Sequence, residues 1–155
     1  MFSDDLVCDI LTYINENIYH NITIDELSKK FHFNRSYIMK KFKKELSISI
    51  INFINSMRIY NSLKSYESNE YVLKIALMNG FNSLEYYSEM FKKIMDVNPK
   101  TYKMFINSTR NIRESEFNKI RQALIKLQFL KEKDNTYRDN RRPNVSPVKK
   151  LSIFK

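Results

Sequence analysis

The sequence predicts an all-α protein: two helix-turn-helix subdomains joined by a long connecting helix, followed by a helical and then disordered C-terminal tail. Three observations carry this. Glycine occurs once and proline three times in 155 residues, and no stretch alternates apolar and polar residues as a half-buried strand does. Apolar residues recur at helical spacing, with cap residues at the breaks. A helix–turn–helix pattern also occurs twice, at Leu27–Leu46 and around Asn79–Lys103. Phe33-Asn34 in the first copy matches Phe81-Asn82 in the second, 48 residues on, whereas Tyr37 and Phe42-Lys43-Lys44 match Tyr86 and Phe91-Lys92-Lys93 at 49. The copies therefore differ by one residue at the turn, and two copies make paired modules.

In chain order, Leu6, Val7, Ile10, Leu11, Ile14 and Ile18 mark one face of a first helix from about Asp5 to Ile18. Cys8 lies beside that face and is read as a small packing residue. Thr23 and Glu26 form a capping box for a second helix ending near Phe31, with Ile22 stapled onto Leu27. His32 takes the turn position that Gly80, the only glycine, fills in the second copy. Histidine tolerates positive φ better than most residues other than glycine. Asn34 caps a third helix running to about Glu45, with Tyr37, Ile38, Lys41 (through its stem) and Phe42 inward or partly inward and Arg35, Ser36, Met39, Lys40 and Lys43 on the other side.

Ser49 is the expected cap of a buried connecting helix carrying Ile50, Phe53, Ile54 and Met57, on which Arg58 is a structural residue paired with carbonyls or a carboxylate. Ser65–Tyr71 reads as a polar break, with Asn69 capping a short helix bearing Val72, Ile75 and Ala76. After Gly80, either Asn82, with Glu85 completing a capping box, or Ser83 starts a helix whose inner row is Tyr87, Met90, Phe91 and Ile94. It ends near Asp96, and Asn98 with Pro99 opens the next helix.

The net charge of +10 is unevenly spread: −4 over residues 1–33, +4 over 34–50, +2 over 51–105 and +8 over 106–155. Positive charge on one helix and on the tail fits a polyanionic partner, most simply nucleic acid. The bland alternative is a solvated face that aids solubility. Several function classes are disfavoured. One cysteine cannot build a disulfide framework or a cysteine-rich zinc site, and neither histidine has zinc-ligand spacing. No nucleophile–base pair or phosphate loop suggests an enzyme, and no cofactor is expected. The acidic start MFSDDLV is unlike a signal peptide, and no apolar run approaches the ~20 residues of a membrane span. A soluble, cytoplasmic protein is expected, nucleoid-associated if the polyanionic partner is DNA.

The residues from about Ile10 to Phe105 resemble the DNA-binding domain of the AraC/XylS family of bacterial transcription regulators. The resemblance rests on IDELSKKFHFNRSYIMKKFKKEL, on Arg58-Ile59 and on IALMNGFNSLEYYSEMFKKIMDVNPKTYK. Its most specific part is Ile75-Ala76, Gly80-Phe81, Tyr86-Tyr87, Phe91-Lys92-Lys93, Pro99 and Tyr102-Lys103. It implies two recognition helices in successive major-groove segments of double-stranded DNA, with activation the commoner mode. Ser36, Met39 and Lys40 match base-reading positions in the first helix, and Leu84, Glu85, Tyr86 and Glu89 match them in the second. Lys40 is the best candidate for a guanine contact. Arg35, Lys43, Lys44, Lys92 and Lys93 match phosphate contacts. Ser47 and Asp96 stand where the family usually has glycine, and Glu85 and Glu89 repel phosphate and suit only cytosine amino groups.

The domain scheme is then 5–105 for the DNA-binding domain, 106–134 for an amphipathic helical extension and 135–155 for a basic, disordered tail. Ile112 to about Lys133 reads as a helix with Phe117, Ile120, Leu124 and Leu127 in one stripe. That stripe is expected to pack back on the domain, the alternative being another chain. The tail is the segment available to RNA polymerase or another protein, and a monomer or weak dimer is expected. Too few residues precede the match for the usual ligand-sensing domain, so small-molecule control is not expected. The alternatives from other classes are a non-specific nucleoid or RNA-binding protein and a protein-interaction module on the same fold.

Overall fold

A computed structural model describes residues 2–108 and 112–139, with side chains from residue 6 onward. Among the described residues eight α-helices follow one another: α1 Phe2–Glu16, α2 Ile24–Phe31, α3 Arg35–Leu46, α4 Ile50–Ser62, α5 Val72–Met78, α6 Leu84–Met95, α7 Pro99–Asn107 and α8 Glu114–Asp139. A 3-10 turn, Leu63–Glu67, follows α4, and the described residues contain no strand. The chain forms two compact units. Of the described residues, one unit comprises 2–54 together with 129–139, and the other lies within Asn55–Gln128. The continuous helices α4 and α8 each contribute to both.

In the first unit, α1 and α2 pack on α3. The expected row Leu6, Val7, Ile10, Leu11, Ile14 and Ile18 is buried throughout, joined by Leu27, Ile38, Phe42, Leu46 and Phe53. Phe42 and Phe53 meet edge to face at 5.5 Å. The first helix ends two residues before Ile18, because the Asn17 side chain donates to the Tyr13 carbonyl at 2.9 Å and the chain turns. The capping box at Thr23 and Glu26 is present, and Ser49 caps α4 by accepting from the Asn52 amide at 3.2 Å.

The C-terminal half of α8 belongs to this unit. The helix runs to Asp139, six residues past the expected end, so residues 135–139 are helical rather than disordered; the rest of the expected disordered tail lies outside the described residues. The cause is a cluster around Asp134, whose side chain is fully buried. Arg138 grips both carboxylate oxygens at 3.1 and 3.2 Å, Asn15 donates to them at 3.2–3.3 Å, and the Lys131 ammonium is 3.7 Å away. Tyr137 reaches Glu45, donating to its carbonyl and carboxylate at 3.2 Å each. The Lys41 hydrogen bond, with a smaller contribution from Tyr137, holds the Glu45 carboxyl below the usual carboxylate range. That stabilisation is complete above the ordinary value of 4.5 and is lost as pH falls through the depressed one.

The second unit has an aromatic core. Tyr66, Tyr87, Phe91 and Tyr102 are buried together with Ile59, Ile75, Phe81 and Met95. Tyr66 and Tyr102 meet edge to face at 5.2 Å, and Phe91 lies 5.7 Å from each. The hydroxyls of Tyr66 and Tyr87 are satisfied: Tyr87 Oη shares hydrogen bonds with Ser62 at 2.9 Å and Tyr66 at 2.7 Å. Sequence pattern alone marks Ser65–Tyr71 as a polar break, but Tyr66 is 1% exposed, because the 3-10 turn swings it under α6 and α7. Asn69 does not cap α5. The N-cap is Tyr71, without a side-chain bond, since the helix starts only at Val72.

Ile120, Ala123 and Leu127 of α8 complete this core, Leu124 packs against it, and Phe117 stays more than a third exposed while meeting Phe105 at 5.6 Å. The extension thus packs back on its own chain in both units.

Two expectations follow. Asp134→Ala strips Arg138 and Asn15 of a buried acceptor and should lower stability by about 2 kcal/mol, read as a lower urea midpoint of helical circular dichroism. Burial pushes the Tyr66, Tyr87 and Tyr102 phenols above their ordinary 10.0. The folded chain holds these protons more tightly than the unfolded chain, so the stabilisation is full below pH 10 and lost as pH rises above it. Tyrosinate absorbance should therefore show a group of tyrosines ionising only together with loss of helix.

Candidate nucleic-acid interface

Each unit contains a short helix, a turn with one left-handed residue and a longer helix with an outward row. In the first, α2 ends at His32, with φ 60° and ψ 36°. Ser28 Oγ donates to the Phe33 carbonyl at 2.6 Å, and Asn34 caps α3 by accepting from the Tyr37 amide at 2.8 Å. In the second, α5 ends at Asn79, whose amide side chain donates to the Ile75 carbonyl at 2.8 Å, and Gly80 takes φ 87°. Ser83, not Asn82, caps α6, accepting from the Tyr86 amide at 3.1 Å, so Glu85 completes no capping box with Asn82. Asn82 is thus the extra residue that separates the two repeat offsets.

The longer helices end alike. Ser47 and Asp96 adopt φ 60° and 65°, each donating its amide back into the helix. An L-residue pays roughly 1–2 kcal/mol for the left-handed region, which explains why glycine is common at such positions. Two residues on, Ser49 and Asn98 each cap the next helix.

On α3, Ile38, Phe42 and Leu46 are buried, which turns Ser36, Met39, Lys40 and Lys43 outward as one row. Their spacing of three and four residues puts them on one helical face. Met39 is 46% exposed. Lys44 is exposed beside this row. Arg35 is also exposed and lies 3.3 Å from Asp25, an ion pair in open solvent that contributes little. Lys41 is mostly covered and pairs with Glu45 at 3.0 Å, as its inward stem implies.

Tyr37 departs from expectation. It is exposed, because its place in the first turn of α3 lies to the side of the buried row, and it stacks on Phe33 at 5.1 Å. Ile51 is another exposed residue that the sequence pattern gave no reason to single out. It helps to wall a groove of about 260 Å³ beside Met39, Lys40 and Lys43, with Ile24 and Ile50.

On α6, Tyr87, Met90, Phe91 and Met95 are buried, and Glu85, Glu89, Lys92 and Lys93 are exposed. Leu84 is half-buried at the start of the helix. Tyr86 is 42% exposed, but its hydroxyl accepts from the buried Asn55 amide at 2.9 Å, so only its ring is presented. Arg58 lies 6.0 Å from the Phe81 ring centroid, a cation–π contact that braces the turn. The α3 row is therefore basic and the α6 row mixed, with two carboxylates ahead of two lysines.

A family model described as a helix-turn-helix domain matches residues 27–104, which span both turns and both outward rows. The chain belongs to the AraC-type helix-turn-helix family. It is 33% identical over 101 residues to the uncharacterised HTH-type transcriptional regulator YdiP of Escherichia coli (strain K12), covering 64% of this chain and 33% of that protein. It is 31% identical over 104 residues to an uncharacterised HTH-type transcriptional regulator of Staphylococcus aureus, covering 66% of this chain and 14% of that protein. The chain thus spans a third or less of the length of these relatives.

Among solved structures, the C-terminal domain of AraT, a response regulator from Geobacillus stearothermophilus, has a TM-score of 0.62 at 22% identity, covering 70% of this chain and 92% of that one. The DNA-binding domain of AdpA, a global transcriptional factor solved with a target DNA, has a TM-score of 0.60 at 15% identity, covering 67% and 95%. Both likenesses concern the AraC-type fold. Among the described residues no helix is long and apolar enough to cross a membrane, and no group of three or more His, Cys, Asp or Glu side chains could hold a metal ion.

The two tyrosines at matching positions of this AraC-type chain should respond differently to loss of their hydroxyls. Tyr86→Phe leaves the buried Asn55 amide without its acceptor and should cost about 1–2 kcal/mol. Tyr37→Phe should stay within about 0.5 kcal/mol of the parent. Thermal unfolding of both variants checks this.

Proposed function

We propose that this chain is a sequence-specific, double-stranded-DNA-binding transcription regulator of the AraC type, acting as an activator at the cytoplasmic nucleoid. The observation that carries the reading is the outward row of α3: Ser36, Met39, Lys40 and Lys43 side by side on a helix whose opposite face is locked into the core. Both relatives described above are named transcriptional regulators, and the AdpA domain was solved with DNA. We assign the DNA-binding function to residues 5–105, with the helical extension bracing both units and the basic residues beyond it adding non-specific attraction to DNA or meeting RNA polymerase.

In this reading, Ser36, Met39 and Lys40 read bases from α3, with Lys40 donating to guanine O6 and N7 and Met39 packing on thymine methyls. Leu84, Glu85, Tyr86 and Glu89 face the bases from α6. A carboxylate accepts only from cytosine N4 there, so this helix selects narrowly and attracts weakly. Arg35, Lys43, Lys44, Lys92 and Lys93 hold phosphates and set register rather than sequence.

Selection of sites from a random duplex pool tests the function. Two preferred boxes mean that both units read sequence. One box means that α6 only positions the protein. Steeply salt-dependent binding without enrichment favours the non-specific reading that Glu85 and Glu89 keep open.

Two substitutions separate the roles. Lys40→Ala should lose discrimination at one base pair, worth about 1–3 kcal/mol. Lys92→Ala should weaken all duplexes alike and reduce the salt slope by about one. Fluorescence anisotropy with matched and mismatched duplexes over a salt series measures both, and an unaltered base preference for Lys40→Ala removes it from the readers.

A further inference from the structure

We propose that α8, which lies outside the residues of the family match, contributes a second phosphate-binding wall beside the recognition helix α6. The proposal rests on the DNA-binding reading above and adds a partner surface to it.

The wall is one side of a solvent-open groove of about 440 Å³ within the second unit. Lys93 of α6 stands on one side, Asn118, Lys119, Gln122 and Lys126 of α8 stand on the other, and Asp96 lies at the end of α6. Three ammonium groups face one carboxylate, so the groove is net positive. All three lysines are exposed, and none has an ion-pair partner among the described residues. Lys119, Gln122 and Lys126 follow at three and four residues, so they share one face of α8. From Lys119 to Lys126 the helix rises about 10 Å, enough to meet two phosphates of one strand. The amides of Asn118 and Gln122 add neutral donors for phosphate oxygens.

The position of Lys93 identifies the occupant. It lies one helical repeat of seven residues from Tyr86, on the flank of the exposed row Glu85, Glu89 and Lys92. A helix with its side chains is about 10–12 Å across and the major groove about 12 Å wide. Residues on the flank of an inserted helix therefore meet the bounding phosphodiester strand, while the outward row meets the bases. The α8 lysines extend that flank. They also add attraction for phosphate to a recognition helix that itself carries Glu85 and Glu89, whose charge opposes phosphate.

The test uses the full chain and a duplex recovered by site selection, titrated over a series of salt concentrations. The double variant K119A/K126A should bind about tenfold more weakly near physiological salt, with the salt slope reduced by about two and base preference unchanged. K119R/K126R should restore the parental slope. K64A removes an exposed lysine from the 3-10 turn and measures the effect of net charge alone. Circular dichroism confirms that each variant is folded. A parental slope in K119A/K126A, or a loss no larger per charge than in K64A, overturns the α8 wall and leaves the DNA-binding reading intact. Failure of the unmodified chain to bind any duplex overturns the DNA-binding reading and the wall with it.

Discussion

A helix can offer a row of side chains to a partner only when its opposite row is fixed. In the second unit the fixing is done by aromatic rings whose hydroxyls are tied to one another. Tyr87 and Phe91 are the inner row of α6, and the Ser62–Tyr87–Tyr66 hydroxyl chain removes the cost of burying two phenolic groups. Rotating α6 about its axis would break that chain and bury Glu85 or Lys92. The outward row is thus set by the core, and so is the flank on which Lys93 lines the groove shared with α8. Ile38, Phe42 and Leu46 hold the inner face of α3 by apolar packing, and Tyr137 adds directed bonds at Glu45.

The turns add a second constraint. Among the described residues four lie in the left-handed region, and of these only Gly80 does so without steric cost. His32, Ser47 and Asp96 bear that cost at the C-caps of α2, α3 and α6. In each case the cap amide donates back into the helix and a side-chain N-cap follows two residues later. The strain is therefore compensated locally, within five or six residues, rather than by distant packing. This is the economy of a motif used twice, since each copy carries its own stops and starts.

Electrostatics distinguishes the copies. The α3 row is basic, whereas α6 places Glu85 and Glu89 ahead of Lys92 and Lys93. Lysines in the last turn also favour the helix macrodipole, so Lys43, Lys44, Lys92 and Lys93 stabilise their helices whether or not a polyanion is present. The helical extension is structural first. Its inner residues complete the core of the second unit, and Asp134 and Tyr137 anchor its far end to α1 and α3 in the first, with Arg138 holding the Asp134 carboxylate within the helix.

Much was legible in the sequence because it is written locally. Helix number, the caps Thr23, Asn34, Ser49 and Asn98, the buried row of α1 and the turn role of His32 each depend on residues within one or two helical turns. The outward row Ser36, Met39, Lys40 and Lys43 follows from the same 3.6-residue period. What the sequence could not determine involves partners distant in the chain. Tyr66 reads as part of a polar break until Tyr87 and Tyr102 surround it. Tyr37 reads as core until Phe33 draws it into an exposed stack. The end of α8 reads as disordered because Asn135, Thr136, Arg138 and Asp139 are polar, yet Asp134 finds Asn15 across 119 residues and the helix continues. Periodicity tells which residues share a face. Only the tertiary structure decides which polar residues on that face gain a partner, because a buried charge or hydroxyl is stable only where another segment supplies its hydrogen bonds.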